Sequence, residues 1–120
     1  MGSEMCIRDR FIRGDIVVIH FPYTDLSAAK KRPALIITPL EGDDLIMCQI
    51  TSKEIRDKYA ITLAMSDIAD GSFHYSSNIR PNRIATLDKK LIEKKIARLN
   101  NHKFQKVVEA LKKIIDGESI

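Results

Sequence analysis

Lys30-Lys31-Arg32-Pro33 runs directly into Ala34-Leu35-Ile36-Ile37, so three cations and a proline stand at the mouth of an apolar segment. Pro33 has no backbone N–H and a fixed φ, which suits the opening of a strand and not the interior of a central one. Arg32 is therefore expected at a loop–strand junction, near the surface, on a backbone anchored by the apolar run from Ala34 to Ile37. A guanidinium placed there can meet a phosphate or a carboxylate. The competing reading is a solubilising basic loop, because most charge runs are simply solvated.

Working outward, the segment has strand-like neighbours on both sides. Ile16 to Phe21 (IVVIHF) is short and β-branched, with apolar residues on both faces. Pro33 to Thr38 is the second strand, stopped by Pro39, and Leu45 to Ile50 is the third, joined to it through the turn Glu41-Gly42-Asp43-Asp44. In an antiparallel hairpin the start of one strand lies beside the end of the other, which makes Arg32 and Thr51 neighbours. Gln49 and Thr51 interrupt the apolar pattern there; such breaks mark sites or a strand emerging into water. Pro22 to Lys31 is a loop of roughly ten residues, long enough to be more often functional than idle.

The rest of the chain is read in the same way. Tyr59 to Ala64 alternates as a fourth strand. Ser66 to Ser77 reads as a loop with a turn at Asp70-Gly71, and a fifth strand is expected around Arg83 to Leu87. Asp88 suits the N-cap of a short helix over Lys89 to Leu99, with Leu91, Ile92, Ile96 and Leu99 on one stripe. A second helix is expected over roughly Lys103 to Ile115, with Gly117 just past its end. The expected fold is mainly β with C-terminal helices, a small barrel or strongly bent sheet.

The chain has 120 residues, 44% hydrophobic and 30% charged, which fits one globular domain with a real core. Met1 to Arg10 lacks useful periodicity and reads as a non-native or disordered leader, leaving 11–117 as the domain. The formal charge of +4 is a modest basic excess, compatible with nucleic acid or an acidic protein. Two cysteines, Cys6 and Cys48, make neither a disulfide framework nor a CxxC metal pair. No apolar run is long enough to span a membrane and no signal peptide is visible, so the expected compartment is the cytoplasm.

The chemistry is carried by cations and hydroxyls. No zinc cluster, glycine-rich phosphate loop or GxSxG elbow is present, so no metal or cofactor is expected. His20 reads as a structural histidine and His74, between Phe73 and Tyr75, as an exposed one. Arg32 with its lysines, Thr51, Ser52 and Lys53 fit the binding of phosphate, since Arg forks onto phosphate oxygens and hydroxyls donate to them. An anion-accepting protein surface fits equally well.

Four stretches together resemble the MazF/PemK toxin family: RGDIVVIHFPYTDLSAAKKRPALII from Arg13, CQITSK from Cys48, YAITL from Tyr59 and SSNIRPNRIATLDKKLIEKKI from Ser76. The likeness extends from about Arg13 to Ile115. It implies an SH3-like small barrel of the MazF/PemK/CcdB type with about five to seven strands, usually a homodimer. It also implies a sequence-specific, metal-independent endoribonuclease for single-stranded RNA, held inactive by a cognate antitoxin in the RNA groove. Arg32 corresponds to the family's catalytic arginine and Thr51 to its catalytic threonine. Asp25, Ser27, Lys30, Lys31, Gln49, Ser52, Lys53 and Arg80 fall on the substrate-binding surface. A loop glutamate carried by some relatives has no clear counterpart, Ser27 being nearest. The same fold also serves a non-catalytic gyrase poison, and a decayed, antitoxin-binding module is the other alternative.

Overall fold

The computed structural model describes residues 10–21, 30–52, 58–73 and 76–118. Seven strands and one α-helix succeed one another: β1 Asp15–Phe21, β2 Lys30–Pro39, β3 Asp44–Thr51, β4 Ile61–Leu63, β5 Ile68–Gly71, β6 Ser77–Asp88, β7 Ile92–Leu99 and α1 Asn101–Ile115. The strands form one sheet in the order β4-β6-β3-β2-β1-β7-β5. Every pairing is antiparallel, and the sheet curls into a half-barrel. The mainly β architecture is the one expected.

Period-2 alternation sends apolar side chains to both faces of the central strands, and both faces are covered. Val17, Ile19, Ala34, Ile36, Leu45 and Met47 make one buried cluster, with Phe11, Leu87 and Ile92 against it. Ile16, Leu35, Ile37, Cys48 and Ile50 belong to the other, which also takes Phe104 and Val107 of α1. Burying either of these two helix side chains stabilises the docking of α1 by about 1.5–3 kcal/mol. The helix starts where Asn100 Oδ1 accepts the Lys103 N–H at 2.8 Å. It ends where Gly117, at φ 77°, lets its own N–H reach Ile114 O and the Glu118 N–H reach Lys113 O.

Four expectations are corrected. Lys89 to Leu99 is not a helix: a single 3-10 turn, Lys89–Leu91, leads into β7. Its register with β1 skips Ile96 and Glu93. Ile92 packs with one core cluster and Ile96 and Leu99 with the other, so the spacing that reads as one helical stripe is divided between the two faces of an extended, bulged strand. Ser66 to Ser77 is not all loop, because β5 pairs there with β7. The strand expected at Arg83 begins earlier, at Ser77; Pro81, Asn82 and Arg83 have no β3 partners between the Arg80–Gln49 and Ile84–Cys48 pairs, so the proline sits in a bulge. Pro33 does not open its strand, since β2 starts at Lys30 and is the middle strand of the sheet. Its pairing with β3 begins only at Ala34, so at Pro33 the β3 side of the strand has no ladder to interrupt.

Candidate functional site

β2 passes between β1 and β3, and its first residues project to the end of the sheet. Ile19 is the cross-strand partner of Arg32, and His20 that of Lys31. On the other side the ladder starts with Ala34 opposite Gln49, two residues after Arg32 and two before Thr51, the last residue of β3. Alternation places Arg32, Gln49 and Thr51 on one face and Lys31, Pro33 and Ser52 on the other.

A cavity of about 350 Å³ opens at this end of the sheet, lined by Val18, Lys31, Arg32, Pro33, Ser52, Phe73, Ser77 and Ile96. Three strands, β1, β2 and β7, and the segment after β5 supply apolar walls through Val18, Pro33, Ile96 and Phe73, and the polar lining groups are cations and hydroxyls. A second concavity of about 330 Å³ lies over His102, Gln105, Lys106, Glu109, Ala110 and Lys113 of α1. It belongs to one helix face of mostly exposed side chains, where no two elements converge on a ligand.

The cations at the first cavity are not equivalent. Lys31 Nζ lies 2.9 Å from Glu93 Oε1, and the same oxygen is 3.2 Å from His20 Nε2. The Lys31 hydrogen bond, aided by its charge and the contacts of His20, holds the Glu93 carboxyl below its ordinary range, against a smaller opposing effect of desolvation. Among the described residues no carboxylate pairs with Arg32. Arg32 is half-buried beside the apolar walls.

The other expected site residues are spread around this cavity and along the adjoining strands. Thr51 is buried and lies opposite Asn78 of β6. Ser52 is exposed and lines the cavity. Gln49 and Arg80 are cross-strand partners, both half-buried. Lys30 opens β2 opposite Phe21. Asp25, Ser27, Lys53 and His74 lie outside the described residues, as does the leader apart from Arg10. Cys48 is a buried thiol pushed up to about 12 by desolvation, the behaviour of an inert core side chain. Among the described residues no group of His, Cys, Asp or Glu could hold a metal ion, and no helix is long and apolar enough to cross a membrane.

Glu93, Phe73 and Ser77 were not legible as site residues. The helical reading of β7 hides Glu93, and the other two fall within Ser66 to Ser77, which reads as a loop. Only the excess of cations over carboxylates near Arg32 could have drawn attention to an acidic partner.

The sequence pattern of the family described as "PemK-like, MazF-like toxin of type II toxin-antitoxin system" matches residues 12–115. No curated protein matches the chain in sequence. Solved structures share the fold. An endoribonuclease in complex with its cognate antitoxin, from Mycobacterial species, aligns with a TM-score of 0.71 at 15% identity, covering 89% of this chain and 96% of that one. MazF from Deinococcus radiodurans aligns with a TM-score of 0.70 at 18% identity, covering 88% and 96%. A MazE–MazF complex from the same organism gives 0.67 at 18% identity, covering 91% and 97%.

Proposed function

The chain belongs to the PemK-like, MazF-like toxins of type II toxin–antitoxin systems, and from that membership we propose that it is an endoribonuclease cutting single-stranded RNA at the cavity beside Arg32. The observation that carries this reading is the Arg32 guanidinium, paired with no carboxylate among the described residues, at a cavity with apolar walls and hydroxyls. A half-buried guanidinium is suited to a phosphodiester, which it can grip through two oxygens at once.

The reaction is a transesterification. The ribose 2′-oxygen attacks the adjacent phosphorus, its proton leaves, and the bond from phosphorus to the 5′-oxygen breaks as that oxygen takes up a proton. The products are a 2′,3′-cyclic phosphate and a 5′-hydroxyl end, and no metal ion takes part. Arg32 stabilises the charge that grows on the non-bridging oxygens, where a fixed donor acts more strongly than water. Thr51 donates a hydrogen bond to a phosphate oxygen. Gln49, Ser52 and Arg80, with Asp25, Ser27, Lys30, Lys31 and Lys53, hold the strand to either side and supply the preference for sequence. The partner proteins are a second copy of the chain and a cognate antitoxin that covers the cavity, in the cytoplasm. Support for the antitoxin comes from the antitoxin complexes formed by structures of the same fold.

The test is incubation of purified protein with a long RNA in EDTA and mapping of the end groups. The expected products carry 2′,3′-cyclic phosphates and 5′-hydroxyls, and the same sequence made as 2′-deoxy strand stays intact. An RNA left whole, or ends bearing 5′-phosphates, contradicts the assignment.

A further inference from the structure

Glu93 brings a carboxylate to the mouth of a cavity whose proposed ligand is an anion. It reaches the site through a backbone irregularity. In the β1–β7 ladder, Val18 faces Lys94 and Ile19 faces Ile92, so Glu93 is the extra residue of a bulge. A bulge re-aims a side chain, and here it sends the carboxylate across β1 to the basic start of β2. One oxygen, Oε1, takes both Lys31 Nζ at 2.9 Å and His20 Nε2 at 3.2 Å. The neighbouring cation of β7, Lys95, is turned instead toward Asp15, at 3.6 Å.

The pair is open to water, with Lys31 58% and Glu93 33% exposed in their side chains. An exposed pair of this kind is readily exchanged for another ion. Lys31 lines the same cavity as Arg32, so whatever holds Lys31 determines how many cations meet the RNA backbone.

Resting on the RNA-cleaving reading, we propose that Glu93 is an internal competitor of the RNA phosphate. It holds Lys31 while the cavity is empty, and an arriving phosphodiester displaces it. Glu93 thus sets the affinity and salt dependence of RNA binding without touching the reacting atoms. It is a positioning residue, not a catalytic one.

The experiment measures binding of a fluorescent 2′-O-methylated oligonucleotide of randomised sequence, which cannot be cut, to wild type, Glu93→Gln, Lys31→Met and the double variant over a series of salt concentrations. Glu93→Gln is expected to tighten binding by about three- to tenfold at low salt. It should also steepen the plot of log K against log salt by roughly 0.7, the increment for one more phosphate contact on a single strand. Both effects should vanish when Lys31 is Met. Weaker binding by Glu93→Gln overturns the proposal. So does an equal gain in the Lys31→Met background with no change of slope, which is the signature of a general charge effect. If wild type neither binds nor cuts RNA, the nuclease reading falls and this proposal with it. If wild type binds and cuts while Glu93→Gln changes nothing, only this proposal falls.

Discussion

Arg98 Nε donates to Asp15 Oδ1 at 3.2 Å across 83 positions of sequence. The carboxylate is almost fully enclosed, at 1% side-chain exposure, and its other oxygen accepts the Ile12 N–H at 2.9 Å. Asp15 therefore joins the entry turn, the start of β1 and the end of β7. It fixes the strand on which Ile19 and His20 face Arg32 and Lys31.

Asp15→Ala is predicted to cost about 3 kcal/mol, because it leaves two partly desolvated cations and a backbone N–H without their acceptor. Arg98→Ala should cost less than half as much, since the guanidinium is 38% exposed and Lys95 stays near the carboxylate. Urea unfolding of the two variants checks the ranking; equal losses would contradict it.

Gly71 holds a φ of 81° in the last residue of β5, and a Cβ added there would stand 2.5 Å from Ile96 O and 2.8 Å from Ala97 Cα. Both are backbone atoms of β7 and cannot swing aside. Gly71→Ala is predicted to cost about 2 kcal/mol or more and to loosen the β5–β7 pairing first. Thermal unfolding together with amide exchange of Ile68 to Gly71 reads both effects. An unchanged midpoint with full protection would refute the close approach.

Glu93 is predicted to titrate below the ordinary glutamate value of 4.5, chiefly because Lys31 donates a hydrogen bond to it. With the folded value depressed, the pair's contribution is present above the unfolded value and is lost as pH falls through the folded one. Carboxyl NMR of the wild type should show the low midpoint, and Lys31→Met should raise it. A midpoint at 4.5 or above, indifferent to Lys31, would show that the pair does not persist in solution.

Asn100→Ala removes the acceptor for the Lys103 N–H at 2.8 Å and is predicted to cost about 1 kcal/mol, with Asn100→Asp close to neutral. Chemical denaturation of the two variants distinguishes a lost cap from a lost side-chain volume.

How much of this was legible depended on the regularity of each strand. Ile16 to Phe21, Ala34 to Ile37 and Leu45 to Ile50 are short apolar runs bounded by turn signals, and their pairing can be read from pattern and turns alone. The placement of Arg32 near the end of β3 came from that pairing. β7 was illegible because its bulges at Glu93 and Ile96 break the period-2 alternation, which leaves Ile92, Ile96 and Leu99 to be read as a helical stripe although they pack on two different faces. The start of β6 was hidden by Pro81, which local rules read as a strand breaker and which a bulge accommodates. The charge pattern of Lys30-Lys31-Arg32 showed three similar cations. Only the fold distinguishes Lys31, tied to Glu93, from Arg32, which no described carboxylate neutralises.

Arg32 is assigned phosphoryl chemistry on RNA, and the most direct measurement of that role is the cleavage rate of one long RNA in EDTA by wild type and by Arg32→Ala. Wild type is predicted to cut. Arg32→Ala should be slower by about 100- to 1000-fold, the loss typical of removing one donor to a developing oxyanion, with an unfolding midpoint close to wild type. Equal rates for the two proteins would contradict the assignment.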